Sequence, residues 1–117
     1  MKKIINLTFL TLIFSCTSIA SLSEEPTPPK AQTLTELSTY EAQLSDYVMY
    51  LQVFLTRTKK KVNDTKYPKF TYFDTSALKS EQTIQDLMFN INIFKEYIKI
   101  TKPIAEAVYK KYSKLQN

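Results

Sequence analysis

Ser76 and Lys79 form an S-x-x-K, the spacing that can set a serine hydroxyl against a lysine amine for nucleophilic attack. The chain supplies nothing to complete such a site. It has no histidine, which removes the commonest general base and the usual zinc, copper and haem ligand. It has no glycine either, so Gly-rich phosphate loops and dinucleotide fingerprints are excluded. Cys16 is the single cysteine, and it falls in a segment that export would discard or lipidate. A mature chain without thiol or imidazole offers no disulfide, so no metal and no cofactor are expected. Asp86 and Glu96 remain as carboxylates for acid–base work, but both are embedded among lysines and read as surface acids beside surface bases. Ser76 then reads as a helix-start residue with Lys79 in solvent, and no catalytic residue is assigned.

With catalysis unsupported, recognition must rest on the apolar side chains, and these follow a helical period. Leu37, Tyr40, Leu44, Tyr47, Leu51 and Phe54 alternate at spacings of three and four, which lines one face of a helix and matches no strand. Val48, Leu55 and Val62 widen that stripe. Thr33 with Glu36 three places on is a capping box, so the spacing predicts a helix over 34–62, roughly 43 Å long at 1.5 Å per residue. Arg57, Lys59, Lys60 and Lys61 gather at its C-terminal end, where cations complement the helix dipole. A second series, Ile84, Leu87, Ile91, Phe94, Ile98, Thr101, Ala105, Val108, Tyr112 and Leu115, keeps the same alternation. Asp74 or Ser80 can cap its start. Pro103 removes a backbone donor and crowds the carbonyl of Lys99, so a kink or break is expected near 101–103. The expected fold is all-α, a hairpin or a three-helix bundle with helices at about 34–62, 77–101 and 103–116. Phe89, Ile91 and Ile93 alternate in a manner that also suits a strand, which keeps an α+β fold as the alternative.

Residues 63–75 carry turn formers at both ends and Pro68 inside, so the first helix must stop there. Tyr67, Phe70, Tyr72 and Phe73 crowd into this connection. Such a loop either folds down over the helices as a plug or is displayed to a partner, and a short β segment at 69–73 is compatible with its residue types. The second helix poses a related question. Beside its main stripe, Phe89, Ile93, Ile100 and Ile104 form another, rotated away from the first. A hairpin can bury only one face of a helix. Leaving four such side chains in water would forgo on the order of 6–12 kcal/mol, so these residues, with the four aromatics of the loop, are the candidate partner-binding set.

The N-terminus reads as a targeting segment. Lys2 and Lys3 precede an apolar run from Ile4 to Phe14, too short to span a bilayer, and Ser18 and Ala20 occupy the small-residue positions of a cleavage site. Residues 1–20 are therefore expected to be a signal peptide. Ile13, Phe14, Ser15 and Cys16 resemble a loose bacterial lipobox, which makes Cys16 the candidate lipidation site and a membrane-anchored lipoprotein the alternative to a periplasmic or secreted protein. Residues 21–32 hold three prolines and few apolar side chains, and are expected to be a disordered leader to a helical domain over 33–117. Charge is uneven: residues 57–117 carry thirteen bases against six acids, whereas residues 21–56 carry five acids against Lys30. Such asymmetry suits anionic lipid, a cell-wall polymer or an acidic partner, while its plain reading is solvated lysines that keep a small helical protein soluble, and no nucleic-acid motif is present.

In signal, size and helix content the chain resembles the small periplasmic helical adaptors, lipoproteins and immunity proteins of bacteria, without a motif specific to one family. The S-x-x-K is similar to that of penicillin-recognising enzymes, but neither companion motif is present and the chain is too short for their fold. The expectation is a small exported envelope protein that binds a protein partner, or a second copy of itself, through the second helix. A carrier or chaperone for an apolar ligand or a membrane surface is the alternative.

Overall fold

Thr33 turns the chain from extended to helical: its hydroxyl accepts the backbone N–H of Glu36 at 3.2 Å, satisfying one of the donors that a helix start leaves open. Helix α1, Leu34–Val62, follows over 29 residues. It buries Leu37, Tyr40, Leu44, Tyr47, Val48, Leu51 and Leu55, the face that the 3-4 spacing marks. Its end is closed by Asn63, the one residue with positive φ (48°) among those described, whose N–H bonds the carbonyl of Lys59 at 3.1 Å. A left-handed cap ordinarily falls to glycine; in a chain without glycine, asparagine is the next residue to tolerate it. The computed structural model describes residues 22–113. The expected signal peptide, Cys16, and residues 114–116 at the end of the expected last helix lie outside the described residues.

Helix α2, Ile84–Tyr112, runs antiparallel to α1 as the second arm of a hairpin. Its core face is Leu87, Ile91, Phe94, Ile98, Ala105 and Val108, with Tyr112 at the end. Two expectations need correction. The helix begins seven residues later than 77, because Thr83 caps it through Asp86 N–H at 3.1 Å, while Asp74 closes only a single 3-10 turn over Thr75–Ala77. Nor does Pro103 break it: residues 77–101 and 103–116 are not separate helices, and the fold is a hairpin rather than a three-helix bundle. Pro103 and Lys99 are both exposed, so the carbonyl that loses its partner faces water, which hydrates it in place of the missing N–H.

No strand occurs among the described residues, so neither the α+β alternative nor the β segment at 69–73 is present. Phe73, whose type favours a strand, donates its N–H to the Gln52 side chain at 2.8 Å instead of to a neighbouring strand. Residues 22–33 have no regular structure, as three prolines dictate, yet they do not project freely. Leu22 packs against the core, Ser23 N–H donates to the Tyr50 hydroxyl at 2.9 Å, and the Tyr47 hydroxyl donates to Ser23 carbonyl at 3.3 Å. Glu25 reaches Lys102 of α2 at 3.3 Å. The leader is a strap across both helices.

Candidate functional site

The four aromatics of the connection divide. Tyr67 is buried, donates its hydroxyl to the Leu55 carbonyl at 2.7 Å, and lies 5.6 Å from the ring of Tyr112. Burial first, then the neighbouring Tyr112, pushes its hydroxyl pKa up to about 12. Phe73 stacks on Phe94 at 5.0 Å and meets Tyr97 edge-on at 5.4 Å, while Phe70, edge-on to Tyr72 at 5.5 Å, packs partly against the core. Tyr67, Phe70 and Phe73 therefore pack over the core, Tyr67 buried and the other two half-buried, so they serve first as a plug on the helices. A hairpin of two helices leaves one side of its seam open, and these rings close it. Tyr72 alone is displayed, 63% exposed, with its hydroxyl 3.0 Å from that of Thr56.

On α2 the second stripe lies roughly a third of a turn round from the core face. Ile100 is 65% exposed and Phe89 41%, with the Lys79 ammonium 4.6 Å above the Phe89 ring. Ile93 is half-buried. Ile104 packs partly against the core cluster, so it belongs to the edge of the seam more than to the outer face. Phe89, Ile93 and Ile100 are thus brought onto one outer surface, on the side of α2 that α1 does not cover.

The residues weighed for catalysis are not assembled. Ser76 gives its hydroxyl proton to Asp74 at 2.6 Å, an interaction that first among its causes holds the Asp74 carboxyl below its ordinary value. The Lys79 ammonium sits over Phe89, away from that hydroxyl. Asp86 and Glu96 are ten residues apart on α2, a rise of roughly 15 Å, beyond the separation at which two carboxyls share a glycosidic bond. No helix among the described residues is long and apolar enough to cross a membrane, and no three metal-ligating side chains converge there.

The profile of the Borrelia orf-D family matches residues 21–114. The chain belongs to the Borrelia orf-D family. The outer membrane lipoprotein BBA14 of Borreliella burgdorferi strain B31 is 57% identical to it over 103 residues, 88% of this chain and 85% of that relative. Of the two expected locations, the anchored one applies: this orf-D chain is a membrane-anchored lipoprotein facing the periplasm or the cell surface. Neither description names an enzyme family. The match takes in the strap together with both helices of the orf-D hairpin.

Sequence reasoning missed the side chains that hold the orf-D connection in place. Asn90, buried on α2, clasps the backbone of Lys79 from both sides: its carbonyl accepts Lys79 N–H at 2.8 Å and its amide donates to the Lys79 carbonyl at 2.8 Å. The same amide donates to Glu41 of α1 at 2.7 Å. Gln52 does the corresponding work for Phe73. At the far end Asp64 accepts Lys66 N–H at 2.9 Å and the Tyr112 hydroxyl at 2.8 Å, with Lys111 at 3.9 Å, and these hold its carboxyl below the usual range. A polar residue in an otherwise apolar stripe, as Asn90 is between Leu87 and Ile91, was the signal available. Missed too was a groove of about 550 Å3 between α1 and the connection, floored by Phe94 and edged by Met49, Val53, Arg57 and Lys60.

Proposed function

We propose that this protein, carrying its lipid on Cys16, is a non-catalytic surface lipoprotein that binds a protein partner through the outer face of α2. The observation that supports the reading is the exposure of Phe89 and Ile100, with Ile93 between them, on a helix whose other face is fully engaged. Covering such a side chain contributes roughly 1.5–3 kcal/mol, and a few aromatic and aliphatic anchors can dominate an interface. The strap contributes by shortening the tether. Only six residue steps separate Cys16 from Leu22, a reach of about 20 Å at most, so the hairpin is held close to the membrane that carries the lipid.

Paired double substitutions test the reading. Ile93→Ser with Ile100→Ser should leave helical circular dichroism and the thermal midpoint nearly unchanged while abolishing partner capture, whereas Ile91→Ser with Ile98→Ser should unfold the hairpin. Sedimentation velocity of the unsubstituted protein reports whether the partner is a second copy. If the Ile93/Ile100 variant is the one that unfolds, the stripe is ordinary core and the proposal fails.

A further inference from the structure

The groove beside the connection is separate from the α2 face, sharing none of Phe89, Ile93 and Ile100. Its apolar surface comes from Val48, Met49 and Val53 on α1, Phe73 and Leu78 on the connection, and Phe94 beneath. The polar groups along its walls are already engaged. Gln52 holds Phe73 N–H and the Val48 carbonyl, and the Thr56 hydroxyl meets that of Tyr72. At the end toward the α1 C-terminus stand Arg57 and Lys60; no acid lines the groove, and neither cation has an ion-pair partner among the described residues. The site is thus apolar along its length and cationic at one end.

Its dimensions choose among occupants. From Ser45 to Lys60 the α1 wall rises roughly 22 Å at 1.5 Å per residue. A volume of about 550 Å3 spread over that length gives a mean cross-section of about 25 Å2. A helix with its side chains is about 10–12 Å across and would seat only a strip of its surface in so narrow a section. One extended hydrocarbon chain fits. The volume lies in the range of small-molecule sites, about 300–1,000 Å3, and Met49, 59% exposed on the rim, is a side chain that adapts to irregular apolar ligands.

We propose that this groove binds a single long-chain fatty acid, its tail along Val48, Met49, Val53 and Leu78 and its carboxylate at Arg57 and Lys60. The pairing follows from charge complementarity: a guanidinium and an ammonium at the mouth suit a carboxylate, and nothing anionic opposes it. The proposal stands independently of the α2 face. It is tested by photo-crosslinking the full-length lipoprotein in its membrane with a diazirine-bearing palmitate and mapping adducts by peptide mass spectrometry. Adducts are expected on the α1 segment 48–53 and on the connection at 73–78, removed by excess palmitate. Arg57→Gln with Lys60→Gln should lower labelling roughly tenfold, the factor that about 1.4 kcal/mol represents, and the probe's methyl ester should label the unsubstituted protein as weakly. Lys95→Gln with Lys99→Gln, on exposed turns of α2, should change nothing. Labelling spread evenly over the surface, equal labelling by the methyl ester, or preferential labelling by a diazirine phosphatidylcholine would each overturn the proposal, the last by showing ordinary membrane contact. Val53→Asp supplies a second variant, read only if its circular dichroism remains helical, and undiminished labelling in it would equally overturn the assignment.

Discussion

Replacing Asn90 with alanine should destabilise the hairpin more than any other single change of a polar residue. The substitution removes three hydrogen bonds, two to the Lys79 backbone and one to Glu41, from a side chain only 3% exposed. The two neutral bonds contribute roughly 1 kcal/mol each and a bond to a carboxylate roughly 1.5–3 kcal/mol. Two effects work the other way. Alanine is the better helix former by up to about 0.7 kcal/mol, and Glu41, half-exposed, can turn to water. The net loss should be roughly 2–3 kcal/mol, a large part of a typical 5–15 kcal/mol, and for a domain of this size it lowers the thermal midpoint by roughly 10–20 °C. Urea titration followed by circular dichroism measures it, with exposed Asn92→Ala as the control expected within about 0.5 kcal/mol. Hydrogen exchange supplies the specific readout, since the Lys79 amide should lose its protection in the variant at urea concentrations where the helices persist. A loss below about 1 kcal/mol, with Lys79 protection unchanged, would refute the clasp.

The aromatic connection gives a paired test: Phe73→Ala should lower stability by about 2–3 kcal/mol, below the about 3–5 of a fully buried ring because Phe73 is half-buried, whereas Tyr72→Ala should leave it within about 0.5 kcal/mol. Asp64 makes a pH prediction. Its folded pKa is depressed by Lys66 N–H, the Tyr112 hydroxyl and Lys111, so its contribution is present above the unfolded value and lost as pH falls through the folded one. Urea midpoints measured across roughly pH 5 to 2 should therefore fall less steeply in Asp64→Asn than in the unsubstituted protein. At the alkaline end the sign reverses. Tyr67, pushed up to about 12 by burial and Tyr112, stabilises the fold below the unfolded tyrosine value near 10 and ceases to as pH rises toward 12, so Tyr67→Phe should soften alkaline unfolding over that interval.

What could be read in the sequence was what depends on local period and composition. Both ends of α1 were legible because Thr33 and Asn63 act on their own neighbours, and the core face of α2 because its 3-4 spacing continues past Pro103 without a change of phase. The start of α2 was not legible. Residues 78–83 contain good helix formers, but the Lys79 backbone is bonded by Asn90 from eleven residues away instead of by a helix, a tertiary contact that no local pattern shows. Pro103 misled for a related reason: the cost of a proline depends on whether the orphaned carbonyl meets water, and that depends on which face α1 covers. The leader's prolines announced an absence of helix but not the tyrosine hydroxyls waiting for Ser23. Of the binding set, the outward direction of Phe89, Ile93 and Ile100 follows from angular arithmetic on one helix. The roles of Tyr67, Phe70 and Phe73 required knowing where the seam lies. The groove was invisible because its walls come from segments far apart in the chain, and because Arg57 and Lys60 were already accounted for by the helix dipole.

The most direct measurement is site-specific photo-crosslinking at the outer face of α2 in the intact outer envelope, with the photoreactive residue placed at Ile100 and, as reference, at Lys95 on a neighbouring exposed turn. The account predicts one discrete protein adduct from position 100, absent from position 95, and lost when Phe89→Ser is introduced into a chain that remains folded and anchored. The same adduct from both positions, or no protein adduct from position 100 at all, would contradict it.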